Sequence, residues 1–247
     1  LRSIVDSSLL STRDRYRLEI YRAMNVDELH GMGAMQSLID SLAELAQRAG
    51  CVDEVVLMYA LRARSHVGAG ELHASLQDVA LGIRIAHRAG LHFRENLLYR
   101  LAAATYGDMN DVSRARVCQH RALQIAGVIG IGYLAGTSWS RLAYNECALG
   151  RFGNAIRCGE RAIELMRGNA PERESNQAHI ALYTALVLSR ATAGSRFRDI
   201  ERRASSAAGP NERGYYHMSR GRDLSFRGNC ADALTAFGRA RESFVTA

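Results

Sequence analysis

The feature that most limits what this chain can fold into is a register of 40 residues. Tyr59, Tyr99 and Trp139 form one column at that spacing, Gly70, Asn110 and Gly150 a second, and Ser75, Ala115 and Ala155 a third. Gly82, Ala122 and Ala162 make another small-residue column, and Gly50, Gly90 and Gly130 close three successive units. Columns that keep step over three units mark an array of repeated supersecondary elements, each packing mainly on its neighbours. The unit at 136–169 shows what each element is. Trp139, Leu142 and Ala143 recur at i, i+3 and i+4 on one helical face, Gly150 breaks the chain, and Ala155 and Ala162 sit two turns apart on a second helix. Small residues at Ala155 and Ala162 let the second helix lie close to the first, with Trp139 filling the space beside them. Gly150 permits the tight turn, because a residue without Cβ accepts positive φ.

These residues resemble the tetratricopeptide repeat, whose consensus W-x2-L-G-x2-Y, A-x3-F and a final Pro spans about 34 residues. Trp139, Leu142, Ala143, Ala155 and Ala162 stand where that pattern asks, while Glu146 replaces its Tyr and Gly159 its Phe. At 214–247 the shorter length returns, with Ala233 and Phe237 matching A-x3-F and Ala240 the final small position. The predicted fold is therefore all-α, a tetratricopeptide-like superhelical solenoid of antiparallel helix pairs with mostly 40-residue repeats. One domain over 1–247 is expected, with units near 16–50, 56–90, 96–130, 136–170, 176–208 and 214–247.

Taken in order, residues 1–30 fit no column, and 33–49 read as an amphipathic helix with Leu38, Leu42, Leu45 and Ala49 in line. Helices are expected at 53–68, 71–89, 94–107 and 111–126, with Asp108 or Asp111 able to cap the last of these. The Gly-rich run 127–133 has no preceding strand, so it reads as a flexible connector and not as a dinucleotide fingerprint. A helix is expected within 171–193, with Leu182, Leu186 and Ala193 facing the core and Gly194 as the turn. Its partner, FRDIERRASSAA, is short and polar, which makes this the weakest unit.

Composition excludes several classes. Hydrophobic content of 47% supports a continuous core, and only Pro171 and Pro210 interrupt helix formation among 247 residues. No apolar run approaches the roughly 18 residues needed to span a bilayer, and no charged-then-apolar leader opens the chain, so a soluble cytoplasmic protein is expected. The chain opens on Leu1, consistent with a piece of something longer. All 32 basic residues are arginine and the net charge is +7. A GC-rich genome is sufficient cause of that bias, so the charge permits nucleic acid or an acidic ligand and requires neither. Cys51, Cys118, Cys147, Cys158 and Cys230 are scattered singly without a C-x-x-C, which predicts packed thiols. Cys118 and His120 are two apart on a helix and point in different directions, so no metal site is expected.

Repeats longer than the consensus, with second helices ending in A-x-x-x-G, resemble the sensor arms of signal-transduction ATPases, the MalT-like regulators among them. In that family a nucleotide-binding region precedes a helical arm that senses a small molecule or protein, and a LuxR-type DNA-binding domain often follows. The resemblance implies a non-enzymatic sensor module of a bacterial transcriptional regulator, without cofactor. No nucleophile-base set, paired carboxylates or metal cluster argues for an enzyme. A stand-alone scaffold for protein partners is the alternative, and a helical-repeat nucleic-acid binder a third, supported by charge alone.

In repeats of this type the first helix of each pair lines the concave surface. With Trp139 as the fourth position, the fifth and ninth give Ala60 and Arg64, Arg100 and Ala104, Ser140 and Tyr144, then Met218 and Arg222, with Tyr215 at the second. Arg64, Arg100, Ser140, Tyr144, Tyr215 and Arg222 are the predicted ligand residues. Guanidinium groups bind oxyanions bidentately, so the expected partner is a protein or peptide carboxylate or a small acidic effector. Direct DNA contact by this segment is not expected. Leu234, Phe237 and Phe244 leave the last helix apolar, which predicts either continuation of the chain or pairing with a second copy through that end.

Overall fold

The computed structural model describes Ser11, Asp14, Leu18 and residues 51–247 apart from Asn169, Ala208 and Ala247. The helix expected at 33–49, and Gly50 of the closing column, lie outside the described residues. Those described form ten α-helices and no strand: α1 (Val52–Gly68), α2 (Leu72–Arg88), α3 (His92–Asp108), α4 (Val112–Ile129), α5 (Gly132–Ala148), α6 (Phe152–Met166), α7 (Glu172–Leu188), α8 (Gly194–Ser205), α9 (Pro210–Phe226) and α10 (Cys230–Val245). The chain divides into two compact units, Leu1–Ile129 and Gly130–Ala247.

Each pair closes with the same turn. Gly70, Asn110, Gly150, Arg190 and Gly228 all have positive φ, between 58° and 78°. After α5, the amide of Gly150 donates to Cys147 O at 3.0 Å and that of Arg151 to Glu146 O at 2.8 Å. After α7, the Arg190 amide donates to Val187 O at 3.0 Å and the Ala191 amide to Leu186 O at 2.9 Å. This is the paired 5→2 and 6→1 closure that satisfies the orphan carbonyls of a helix end. The turn of the fourth described pair is thus Arg190, 40 residues after Gly150, and not Gly194, whose φ of 90° opens α8. Accordingly α7 stops at Leu188, and Ala193 is exposed instead of facing the core.

The run at 127–133 is no connector either. α4 continues through Gly127 to Ile129, Gly130 takes φ 75°, and Gly132 already begins α5. At the start of α4, Asp111 Oδ1 accepts from the Arg114 amide at 3.0 Å, the cap expected there.

In unit 1, α1 packs on α2, α2 on α3 and α3 on α4, and the first helices α1 and α3 also touch. The core is Val56, Ala60, Ala63, Val79, Ala86, Leu98 and Ala102. Unit 2 repeats the scheme: α5 pairs with α6, α7 with α8 and α9 with α10, while α7 contacts both α5 and α9. The small-residue columns sit at the crossings, Ser75, Ala115, Ala155, Ala122 and Ala162 all being fully buried. Trp139 is half-buried against Ala162, Met166 and Ala178.

Gly159, the departure from the consensus, has its own cause. A Cβ there would lie 2.9 Å from Leu182 Cβ and 3.0 Å from Leu182 Cα, so the backbone of α7 occupies the space an aromatic ring would fill. In the last pair the arrangement is inverted. Phe237 packs its ring against Gly221 and Phe244 against Gly214, so the glycines are on the first helix and the bulk on the second.

The unit that reads as weakest holds the main core of unit 2. Residues 178–187 of α7 are buried throughout, and Ile180, Leu182, Tyr183, Leu186 and Val187 cluster with Phe197, Ala204 and Ala207. Tyr183 lies 5.5 Å from the Phe197 ring and 5.6 Å from Tyr216. A short α8 suffices because α7 is enclosed by α5, α6 and α9 as well.

Three stability outcomes follow. Gly159→Phe, the consensus residue, is expected to cost at least about 1–3 kcal/mol by overpacking against Leu182, and Trp139→Ala about 3 kcal/mol through lost aromatic packing, both read by urea denaturation. Arg190 places its guanidinium 5.1 Å from the exposed Phe226 ring. That contact is worth about 0.5–1 kcal/mol, less than the roughly 1–2 kcal/mol of left-handed strain, so Arg190→Gly is expected to raise the melting temperature.

Candidate functional site

The three first helices of unit 2 enclose a cavity of about 150 Å³. The register explains why these helices meet there: Ser140 and Ile180 occupy one column, and Gln177 and Tyr215 another. α5 contributes Ser140, Arg141 and Tyr144; α7 contributes Arg173, Gln177 and Ile180; α9 contributes Asn211, Glu212 and Tyr215.

Ser140 is buried, and its hydroxyl donates to Gly136 O at 3.1 Å. Tyr144 and Tyr215 have ring centroids 5.8 Å apart, and Tyr215 meets Phe244 edge-on at 5.2 Å. Burial pushes the Tyr144 phenol well above its ordinary range, against the pull of the Arg141 charge and a hydrogen bond with Thr184. Tyr144 is therefore a neutral polar wall at any working pH.

Glu212, in the first turn of α9, is only 4% exposed. Its Oε1 accepts from Arg173 Nε at 3.0 Å and from Gln177 Nε2 at 3.0 Å. Burial raises the carboxyl's pKa, but the hydrogen bonds from Gln177, Arg173 and its own backbone amide, with the Arg173 charge, outweigh it and hold the group below its ordinary value. The cavity thus has an ionised carboxylate on its wall, neutralised from α7. Arg141 and Asn211 are exposed, and no protein group among the described residues hydrogen-bonds or ion-pairs with either side chain.

Of the residues expected from the register, Ser140, Tyr144 and Tyr215 line this cavity. Arg222, on α9, is half-buried near Cys147; burial pushes that thiol up to about 12 although the Arg222 charge pulls it down. Arg64, exposed on α1, and Arg100, half-buried on α3, belong to unit 1. Ala60 is packed in the unit 1 core. Unit 1 has its own, more open groove of about 500 Å³ along α2 and α4, walled by Ile83, Arg84, Arg121 and Ile125 with Tyr99 from α3. Gln177 and Ile180 could have been named from the sequence by carrying the register 40 residues past Thr137 and Ser140. Arg141, Arg173, Asn211 and Glu212 stand outside the second, fifth and ninth positions and carried no sequence signal.

Among the described residues no cluster of His, Cys, Asp and Glu could hold a metal ion, and no helix is long and apolar enough to cross a membrane.

This geometry can be set beside known proteins. No protein-family profile matches the chain, and no curated protein does. Solved structures do. One is a Signal Transduction ATPase with Numerous Domains protein with a tetratricopeptide repeat sensor from Pyrococcus horikoshii, similar at a TM-score of 0.66 and 14% identity over 94% of this chain. The present chain spans 36% of that protein's length. A kinesin light chain from Podosopora anserina with nearly identical tetratricopeptide-like repeats aligns at 0.60 and 12% identity, covering 76% of this chain and 92% of that one. BtubC from P. vanneervenii aligns at 0.53 and 14% identity, covering 89% and 93%. The class defined by fold and neighbours is the all-α helical repeat of tetratricopeptide type.

Acid titration should report the Glu212 contact. A carboxyl whose pKa is depressed by folding contributes stability above its unfolded value, and that contribution disappears as pH falls through the folded value. His179 is shifted down by burial, so its loss begins higher, as pH drops below its ordinary value near 6.5. Glu212→Gln is expected to flatten the acid limb of stability below about pH 4.5 while leaving the His179 limb unchanged, as measured by urea melts across pH.

Proposed function

We propose that this chain is a non-enzymatic binding module, the effector-sensing part of a larger bacterial transcriptional regulator, and that the cavity on α5, α7 and α9 is where the effector docks. The single observation that carries this is the cavity itself. Three successive first helices supply apolar Ile180, two tyrosines, and the donors Arg141 and Asn211, which have no hydrogen-bond or ion-pair partner among the described residues, at one place. Such a mixture of apolar wall and few convergent polar groups is the usual make-up of a small-ligand site. The ionisable groups are set for holding rather than for proton transfer, since Glu212 stays charged and Tyr144 stays neutral near pH 7. The Pyrococcus horikoshii protein carries a tetratricopeptide repeat sensor and the present chain spans 36% of its length, which supports the reading of a sensor within a longer regulator.

The test is a thermal-shift screen of small acids and acidic peptides, followed by calorimetry. A true effector raises the melting temperature by mass action. Arg141→Ala and Tyr215→Ala are expected to abolish the shift with the fold intact, whereas Arg64→Ala and Arg100→Ala leave it unchanged. A shift that survives in both Arg141→Ala and Tyr215→Ala moves the site elsewhere. Binding of DNA that weakens steeply across a salt series would instead favour the nucleic-acid reading.

A further inference from the structure

Glu212 holds the donors that a ligand carboxylate would want. Its Oε1 takes one bond from Arg173 Nε and one from Gln177 Nε2 inside the cavity. Two of the other ion pairs that join helices are two-pronged, whereas Arg196–Glu160 and Arg220–Glu201 rest on single contacts. Arg62 grips both oxygens of Asp78 at 2.7 and 2.5 Å, and Arg94 both oxygens of Asp53 at 2.9 and 2.8 Å. Arg173 instead uses Nε alone, and its side chain is 69% exposed, so its terminal amino groups remain open to solvent. A single-bond contact at an exposed guanidinium exchanges partners more readily than a bidentate one.

The other end of Glu212 is equally specific. Gly209, the residue that caps α9, has φ −71°, a conformation open to any residue. Yet a Cβ at that position would overlap Glu212 Oε2. Glycine here leaves the carboxylate room to sit where it does, and a side chain would displace it. Because Glu212 lies in the first turn of α9, a carboxylate released from Arg173 keeps the bond it already accepts from its own backbone amide.

We infer that the effector of this cavity is a carboxylate on a short stem, and that Glu212 is its built-in competitor, yielding Arg173 and Gln177 to the ligand when it binds. The inference rests on the proposed binding function and gives it a chemical class. Arg141 and Asn211 steer the acid at the mouth. A volume of about 150 Å³ lies below the roughly 300 Å³ of drug-sized sites, which restricts the occupant to a small organic acid or one acidic peptide residue. Displacement also links occupancy to the first turn of α9, which gives the site a mechanical output.

The probes are glutarate and a tripeptide ending in Glu, titrated by calorimetry into the wild-type chain, Glu212→Gln, Gly209→Ala, Arg173→Gln and Arg141→Ala, each checked for unchanged helicity. Gly209→Ala pushes the carboxylate off its donors without removing any charge. Both Glu212→Gln and Gly209→Ala are expected to bind about tenfold tighter than wild type, and Arg173→Gln to lose binding. Glutarate binding without the tripeptide identifies a free acid as the source, and the converse a peptide. If Glu212→Gln and Gly209→Ala bind no tighter while Arg141→Ala still abolishes binding, the competitor role is overturned and the binding function stands. If no protein binds either probe at concentrations up to about 10 mM, both are overturned.

Discussion

Close backbone approach at the helix crossings is the constraint on which the rest of this structure depends. Ala155, Ala162 and Gly159 remove side-chain bulk from one face of α6, and α5 and α7 come down on it from either side. That spacing is what places three first helices near enough to share a cavity. A larger residue at any of these positions would separate α5 from α7 and pull Ser140 and Tyr144 away from Gln177 and Ile180. Packing of this kind is dense and bistable rather than elastic, so the site geometry inherits the precision of the crossings.

How much of this could be read from the residues depended on the physics behind each feature. Turns and crossings were legible because both demand a residue type: positive φ selects Gly or Asn, and a tight crossing selects Gly, Ala or Ser. Arg190 shows the limit. It adopts φ 60° in perfect register, but arginine advertises nothing, and the nearby Gly194 drew the turn to the wrong place. The strength of α7 was also hidden, because a helix buried on nearly every side shows no amphipathic stripe. Its partner α8 looked weak by composition, yet Phe197 and Ala204 are enough to close a core already surrounded by three other helices.

The site divides along the same line. Ser140, Tyr144 and Tyr215 occupy repeat positions whose orientation the register sets, so they could be anticipated. Arg173 and Glu212 meet only through tertiary contact across 39 residues, and nothing local records that pairing. Arg141 and Arg173 bring charge to this cavity from positions the register does not name, with an internal carboxylate balancing the second. The resulting chemistry is more selective than a basic patch, since an incoming anion must outcompete Glu212 as well as find positive charge.

The central claim is that acid recognition takes place at α5, α7 and α9. The most direct measurement is a heteronuclear NMR titration of the whole chain with glutarate, following the Ile180 methyls, the Gln177 side-chain amide and the Gly209 and Glu212 backbone amides together with Arg64 and Arg100. The account predicts that the first group shifts along one saturation curve while Arg64 and Arg100 stay still. Shifts that saturate only at residues of 51–129, with Ile180, Gln177 and Glu212 unmoved, would contradict it.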